Sequence, residues 1–199
     1  MENEYFCFLP LPILIVMLAA TFKSRFGDKF MYQHAVKAPD EMCKKDYPDI
    51  LEELEKEPFR DLLDAGCGPA PMISLLSEKY PDRHYTGLDL TPAMIEQAKK
   101  KNIPNATFVV GDCENFPFKN NSFDAIICSM SFHHYPNPQA FFDSVKRCLR
   151  PNGRLLLRDV TSDNKVLVWL MNCCRKAGLK VEKFEIRKGM RMHCVVRKQ

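Results

Sequence analysis

From residue 41 onward the chain alternates helical and extended patterns, and most of the extended segments are apolar on both faces. This alternation limits the fold more than any other feature. A strand buried on both faces needs a layer above and a layer below it. A helix between successive strands supplies both the layer and the crossover to a parallel neighbour. Residues 41–56 read as a helix rich in Glu and Lys, and 60–65 as a buried strand. Residues 71–79 carry Met72, Ile73, Leu75 and Leu76 at helical spacing. Strands are expected at 84–88, 106–110, 123–129 and 155–160. Thr91-Pro92 starts one helix, with the hydroxyl as cap, and Asn137-Pro138 starts another. Pro151-Asn152-Gly153 reads as a turn. A helix from about 164 to 177 ends at Gly178. Strands 180–186 and 191–197, joined near Lys188-Gly189, form a closing hairpin.

Seven strands, mostly parallel, with helices on both faces place ligands at the C-terminal strand ends, where the strand order reverses. The residues there are informative. The first strand runs into Asp64-Ala65-Gly66-Cys67-Gly68, where glycines let a ligand approach the main chain. The helix that follows offers free N–H groups to a carboxylate or phosphate. The second strand ends in Asp89, suited to a ribose diol, and the third in Asp112, suited to an exocyclic amine. Each acid alone could simply cap a helix or close a turn; three in succession argue for one site. A dinucleotide fingerprint fails, because its third glycine would fall on Pro71, and no GK[ST] follows to make a phosphate-binding loop.

The rest of the composition excludes more than it selects. A net charge of +4 suggests no dedicated nucleic-acid binder. Arg187, Lys188, Arg191, Arg197 and Lys198 read as a solvated strand edge. Nine scattered cysteines, without CxxC or zinc spacing, suit a reducing, cytoplasmic setting, and no metal site is expected. Residues 1–40 form a separate apolar N-terminal segment ahead of a domain at 41–199. Within it, 6–22 is uncharged, about 25 Å long as a helix and interrupted by Pro10 and Pro12. It is expected to cap the domain or to attach it to a membrane with the remainder cytoplasmic, unless Met31 is the natural start.

Four stretches then carry a resemblance: LLDAGCGPA, TGLDLTPAMIEQAKK, ATFVVGDCENFPFKNNSFDAIICSMSFHHYPNP and VKRCLRPNGRLLLRD. Together they resemble the class I S-adenosylmethionine-dependent methyltransferases, in particular the small-molecule branch of the ubiquinone/menaquinone-biosynthesis type. The likeness covers 45–160 well and 164–199 loosely. It implies a Rossmann-like fold and S-adenosyl-L-methionine as cofactor. It implies that Asp64, Gly66 and Gly68 surround the methionine part, that Asp89 holds the ribose and that Leu90 packs on the adenine. Asp112 would take the adenine amine and Cys113 the ring edge, with Ser129 near the ammonium. The family's GxGxG loop has its third glycine at Ala70 here, which suits the loop if the torsion there is ordinary. Relatives usually carry a few dozen residues after the fifth strand; here only Thr161 to Lys165 precede the next helix, so most of a substrate lid is missing unless residues 1–50 provide it.

Methyl transfer needs alignment of donor and acceptor, and a base only if the acceptor arrives protonated. His133 and His134 follow the fourth strand, and an unperturbed imidazole at about 6.5 suits removal of a proton from a phenol or amine. Asp159, at the fifth strand's end, is expected to face the acceptor. The expected activity is methyl transfer to a small molecule. A protein or RNA methyltransferase and a cofactor-binding but inactive relative are the alternatives.

Overall fold

The computed structural model describes residues 47–161, 165–187 and 191–199. The expectations for residues 1–40, the helix start at 41 and the turn at Lys188-Gly189 fall outside them. Among the described residues five α-helices, α1 (Tyr47–Glu55), α2 (Pro71–Lys79), α3 (Pro92–Lys100), α4 (Pro138–Cys148) and α5 (Lys165–Lys176), accompany seven strands. The strands are β1 (Asp61–Ala65), β2 (His84–Asp89), β3 (Ala106–Val110), β4 (Phe123–Ser129), β5 (Leu149–Val160), β6 (Leu179–Arg187) and β7 (Arg191–Lys198). They form one sheet in the order β3-β2-β1-β4-β5-β7-β6. The first five are parallel, and β7 is antiparallel to both β5 and β6. The strand order reverses between β1 and β4.

Successive residues of the central strands enter opposite cores. Leu62, Ala125, Ile127 and Leu156 pack beneath α1, α2 and α3 with Ile50, Leu54, Ile73, Leu76 and Ile95. Leu63, Ile126, Cys128, Leu155 and Leu157 pack on the other face with Phe141 and Phe142 of α4 and Leu170 and Cys174 of α5. Each fully buried Leu or Ile contributes about 1.5–3 kcal/mol, so this double-sided burial dominates the stability of the sheet.

The structure departs from the sequence expectation in four places. β5 begins at Leu149, not 155, because Phe123 pairs with Leu149 before the register shifts and resumes at Ala125 and Arg154. The expected turn is an irregularity inside the strand, with Asn152 at φ 64°. Gly153 is required there, since a Cβ would come within 2.9 Å of the Arg150 carbonyl oxygen. Thr91 stands at the N-cap of α3 without a capping bond from its hydroxyl; the Asp89 carboxylate instead accepts from Thr91 N–H at 2.8 Å. Asn137 does cap α4, accepting from Ala140 N–H at 3.3 Å. The basic C-terminal strand is not an edge, for β7 lies inside the sheet and β6 is the edge. Its Arg197 is paired with Glu57 and Glu182.

Charged residues of β5 and β7 fasten α1 to the sheet. Arg154 donates to the carbonyls of Glu53 and Glu57 at 2.8 and 3.0 Å, satisfying groups that a helix end leaves open. Arg158, 2% exposed, pairs with Asp49 at 2.6 Å. Burial alone would raise the Glu53 carboxyl, but hydrogen bonds from Lys183, Lys56 and His193 hold it down at about 2. Among the described residues no helix is long and apolar enough to cross a membrane.

Candidate functional site

The turn after β1 is shaped by its backbone. Gly66 and Gly68 sit at φ 78° and 53°, in the left-handed region that side chains disfavour. Gly66 and Cys67 N–H both donate to the Leu88 carbonyl of β2, at 2.8 and 3.0 Å. Gly68 N–H donates to Asp89 Oδ2 at 2.9 Å. Asp89 thus ties the loop after β1 to the start of α3, and each of its oxygens keeps a lone pair for a further donor. A Cβ on Gly68 would meet nothing within 4 Å, so the outer side of the loop is open. Ala70 also has a left-handed torsion, φ 59° and ψ 48°. The condition of an ordinary torsion is therefore not met: the alanine backbone is left-handed, as a glycine's can be without cost, at a strain of about 1 kcal/mol.

Four expected residues line this edge of the sheet. Asp64 is 4% exposed, and burial together with the charge of Asp89 pushes its carboxyl up to about 7. Leu90 is 66% exposed, an unusual state for a leucine, and Val110 at the end of β3 is exposed too. Asp112 accepts from Glu114 N–H at 2.8 Å through Oδ1. The Ser129 hydroxyl, at the end of β4, is buried without a hydrogen-bond partner. A buried orphan hydroxyl is costly, and a ligand is one way to satisfy it. Cys113 sits behind the turn, its thiol against Tyr135 and the Gly66 backbone. Its side chain is buried in the core with Leu88, Phe116 and Tyr135, and burial raises its thiol to about 12.

The segment after β4 brings two further residues over Gly66. Met130 turns the chain at φ 53°. Ser131 then packs so closely on Gly66 that a Cβ there would lie 1.8 Å from Ser131 Oγ. The Tyr135 hydroxyl meets Ser131 Oγ at 2.8 Å and donates to the Ala65 carbonyl at 3.3 Å. Phe132–His134 forms a single 3-10 turn between them. Sequence reasoning did not find Ser131 or Val110; the close approach at Gly66 joins residues far apart in the chain.

Asp159 and His133 are brought together, while His134 is left at the surface with its ring 4.0 Å from that of His133. Asp159 Oδ1 lies 2.6 Å from His133 Nδ1, and Oδ2 accepts from His133 N–H at 3.0 Å. Val160 N–H donates to Oδ1 at 2.7 Å. The carboxylate is therefore turned into the protein, toward its histidine. Phe132 beside it stacks with Trp169 of α5 at 5.9 Å, and Val168, Trp169 and Met171 form an exposed apolar face on that helix. A cavity of about 450 Å³ lies at the opposite ends of the strands, lined by Arg60, Asp61, His84, Asp124 and Arg150. Arg150 pairs there with both Asp61 and Asp124 at 2.8 Å, and His84 Nδ1 lies 3.0 Å from Asp61. No cluster able to hold a metal ion occurs among the described residues.

The chain is similar in sequence and in fold to known proteins. A family model described as a methyltransferase domain matches residues 63–157. A phthiotriol/phenolphthiotriol dimycocerosates methyltransferase of Mycobacterium leprae is 41% identical over 109 residues, covering 54% of this chain and 40% of that protein. One from Mycobacterium ulcerans is 38% identical over 140 residues, covering 61% and 52%. A fatty-acid O-methyltransferase of Mycolicibacterium smegmatis is 35% identical over 109 residues, covering 54% and 40%. The chain spans about half the length of these curated relatives. Among solved structures, a SAM-dependent methyltransferase from Aquifex aeolicus aligns with a TM-score of 0.65 at 18% identity, covering 77% of this chain and 90% of that one. The [4+2]-cyclase SpnF aligns with a TM-score of 0.68 at 15% identity, covering 80% of each. These structural likenesses establish the fold, and a cyclase among them illustrates that a fold does not fix the reaction.

Proposed function

The chain belongs to the class I S-adenosylmethionine-dependent methyltransferases, and on that premise we propose that it transfers a methyl group from S-adenosyl-L-methionine to an oxygen of a small, apolar acceptor. The observation that carries the reading is the convergence at the strand ends: an open glycine turn tied to Asp89, the unpaired Ser129 hydroxyl, and exposed Leu90 and Val110. These residues fit the cofactor. Asp64, Gly66, Gly68 and Ser129 would hold its amino-acid end, where a cationic ammonium favours the ionised form of Asp64. Asp89 would accept from the ribose hydroxyls with its remaining lone pairs. Leu90 and Val110 would flank the adenine, whose amine Asp112 would accept. Cys113 would take part through its backbone, its thiol being buried.

Once bound, the cofactor supplies an electrophilic methyl group on a sulfonium centre. The protein's share of the work is alignment, exclusion of water and management of one proton. His133 is the proposed base, with His134 beside it. An apolar acceptor accords with the face of Val168, Trp169 and Met171 next to Phe132, and with relatives whose names include dimycocerosates and fatty acids.

The test is calorimetry with S-adenosyl-L-methionine, followed by turnover on lipid phenols, alcohols, acids, amines and thiols. Binding weakened about 30-fold or more by Asp89→Ala supports the site, since truncation removes charge-assisted hydrogen bonds. Binding without turnover across the panel would favour a cofactor-binding, inactive protein.

A further inference from the structure

We infer that Asp159 is a positioning residue that fixes His133 as a base for a neutral hydroxyl acceptor, an alcohol or phenol, rather than for a carboxylate. The inference rests on the proposed methyl transfer and deepens it. Three N–H groups converge on the Asp159 carboxylate: His133 Nδ1 at 2.6 Å, His133 N at 3.0 Å and Val160 N at 2.7 Å. A carboxylate only accepts, so the proton of a neutral His133 resides on Nδ1 and Nε2 carries the free lone pair. The Asp159 side chain is 1% exposed and that of His133 is 21% exposed. The ring is thus anchored inward by Nδ1, with Nε2 on its outer portion. This is the arrangement by which a buried carboxylate sets the tautomer of a catalytic imidazole.

Such a device has work to do only if the acceptor brings a proton. A carboxylic acid is ionised at neutral pH and can attack unaided, whereas an alcohol or phenol is not. In the step, the acceptor oxygen bonds to the methyl carbon as its proton passes to Nε2. The carbon–sulfur bond breaks with its electron pair remaining on sulfur, leaving a neutral thioether, an ether product and a protonated His133. The titratable groups against the His133 ring are Asp159 of β5 and His134 of its own segment; Arg191 of β7 lies in register with Val160, next to Asp159.

Two measurements test the inference. Nitrogen-15 NMR of the whole chain labelled at histidine, with no cofactor present, reads the tautomer. The expected result at alkaline pH is Nδ1–H with Nε2 bare, shifted toward Nε2–H in Asp159→Asn; Nε2–H in the wild type would overturn it. Turnover is then compared across long-chain alcohols, phenols of graded acidity and the matching carboxylic acids. His133→Gln is expected to lower kcat/KM by about 10²–10³ on an ordinary phenol and to remove the rising limb of the pH–rate profile. The loss should shrink to about tenfold or less on a phenol already ionised at the assay pH, and Asp159→Asn should show the same rescue. Equal losses on every acceptor, or preference for carboxylic acids, would overturn the assignment. Absence of cofactor binding would instead refute the methyl-transfer reading, while the tautomer would still report on the pair.

Discussion

Replacing Asp64 with Asn should change how stability depends on pH. The Asp64 carboxyl is buried beside Asp89 and is raised to about 7, whereas in an unfolded chain it titrates near 3.9. Between those values the folded state holds a proton that the unfolded state has lost. Stability is therefore greatest at the acid end of this window, falls as pH rises from about 4 to about 7, and is level above. With 1.36 kcal/mol per pH unit, the unequal titration of Asp64 lowers stability, relative to acid pH, by about 1.5 kcal/mol at pH 5, where the folded state still holds the proton, and by about 4 kcal/mol at pH 8. An asparagine keeps the shape and removes the charge, so its stability relative to wild type should improve by about 2–3 kcal/mol between those pH values. Other titrating groups, among them Glu53 and His193, cancel in that difference. Urea unfolding of both proteins at pH 5 and pH 8 measures it. Parallel pH dependences would refute the reasoning. The same proton links to ligand: a cofactor ammonium prefers ionised Asp64, so cofactor affinity in the wild type should rise as pH approaches 7 and lose that slope in the variant.

Three further outcomes follow from particular contacts. Gly66→Ala should destabilise by several kcal/mol, because its Cβ would overlap Ser131 Oγ at 1.8 Å. Gly68→Ala, with open space around it, should cost only the torsional strain of about 1–2 kcal/mol; chemical unfolding of the two variants checks the contrast. Glu53→Gln should remove stability that is present above about pH 4.5 and lost as pH falls toward 2, up to about 3 kcal/mol, read from acid titrations of both proteins. The seven described cysteines are all buried and their thiols raised, Cys67 and Cys113 chiefly by burial. With Cys7 and Cys43 replaced by Ser, a thiol reagent at neutral pH should find none of the seven reactive until denaturant is added.

Most of the fold was legible because hydrophobic periodicity is a local property. β3, β4 and α2 run over the residues their patterns predict. The early part of β5 was hidden, since Pro151 and Asn152 look like a turn and only pairing with Phe123 makes Leu149 part of the strand. The role of Arg154 and Arg158 was hidden too. Both lie on the α1 side of β5 with Leu156, where only the three-dimensional approach of α1 supplies Glu53, Glu57 and Asp49 as partners. At the candidate site, Asp64, Asp89 and Asp112 could be read from the sequence because topology puts strand ends together. The torsion at Ala70 could not be read, because an alanine gives no sign of a left-handed backbone. The coupling of Asp159 to His133, 26 residues apart, likewise needed the β4–β5 register to bring the two together.

The most direct measurement is titration calorimetry of the full chain with S-adenosyl-L-methionine, beside its Asp89→Ala variant. One site per chain is expected, with binding weakened about 30-fold or more by the substitution, consistent with loss of about 2 kcal/mol of charge-assisted hydrogen bonding. No heat of binding at millimolar cofactor, or equal affinity in the two proteins, would contradict it.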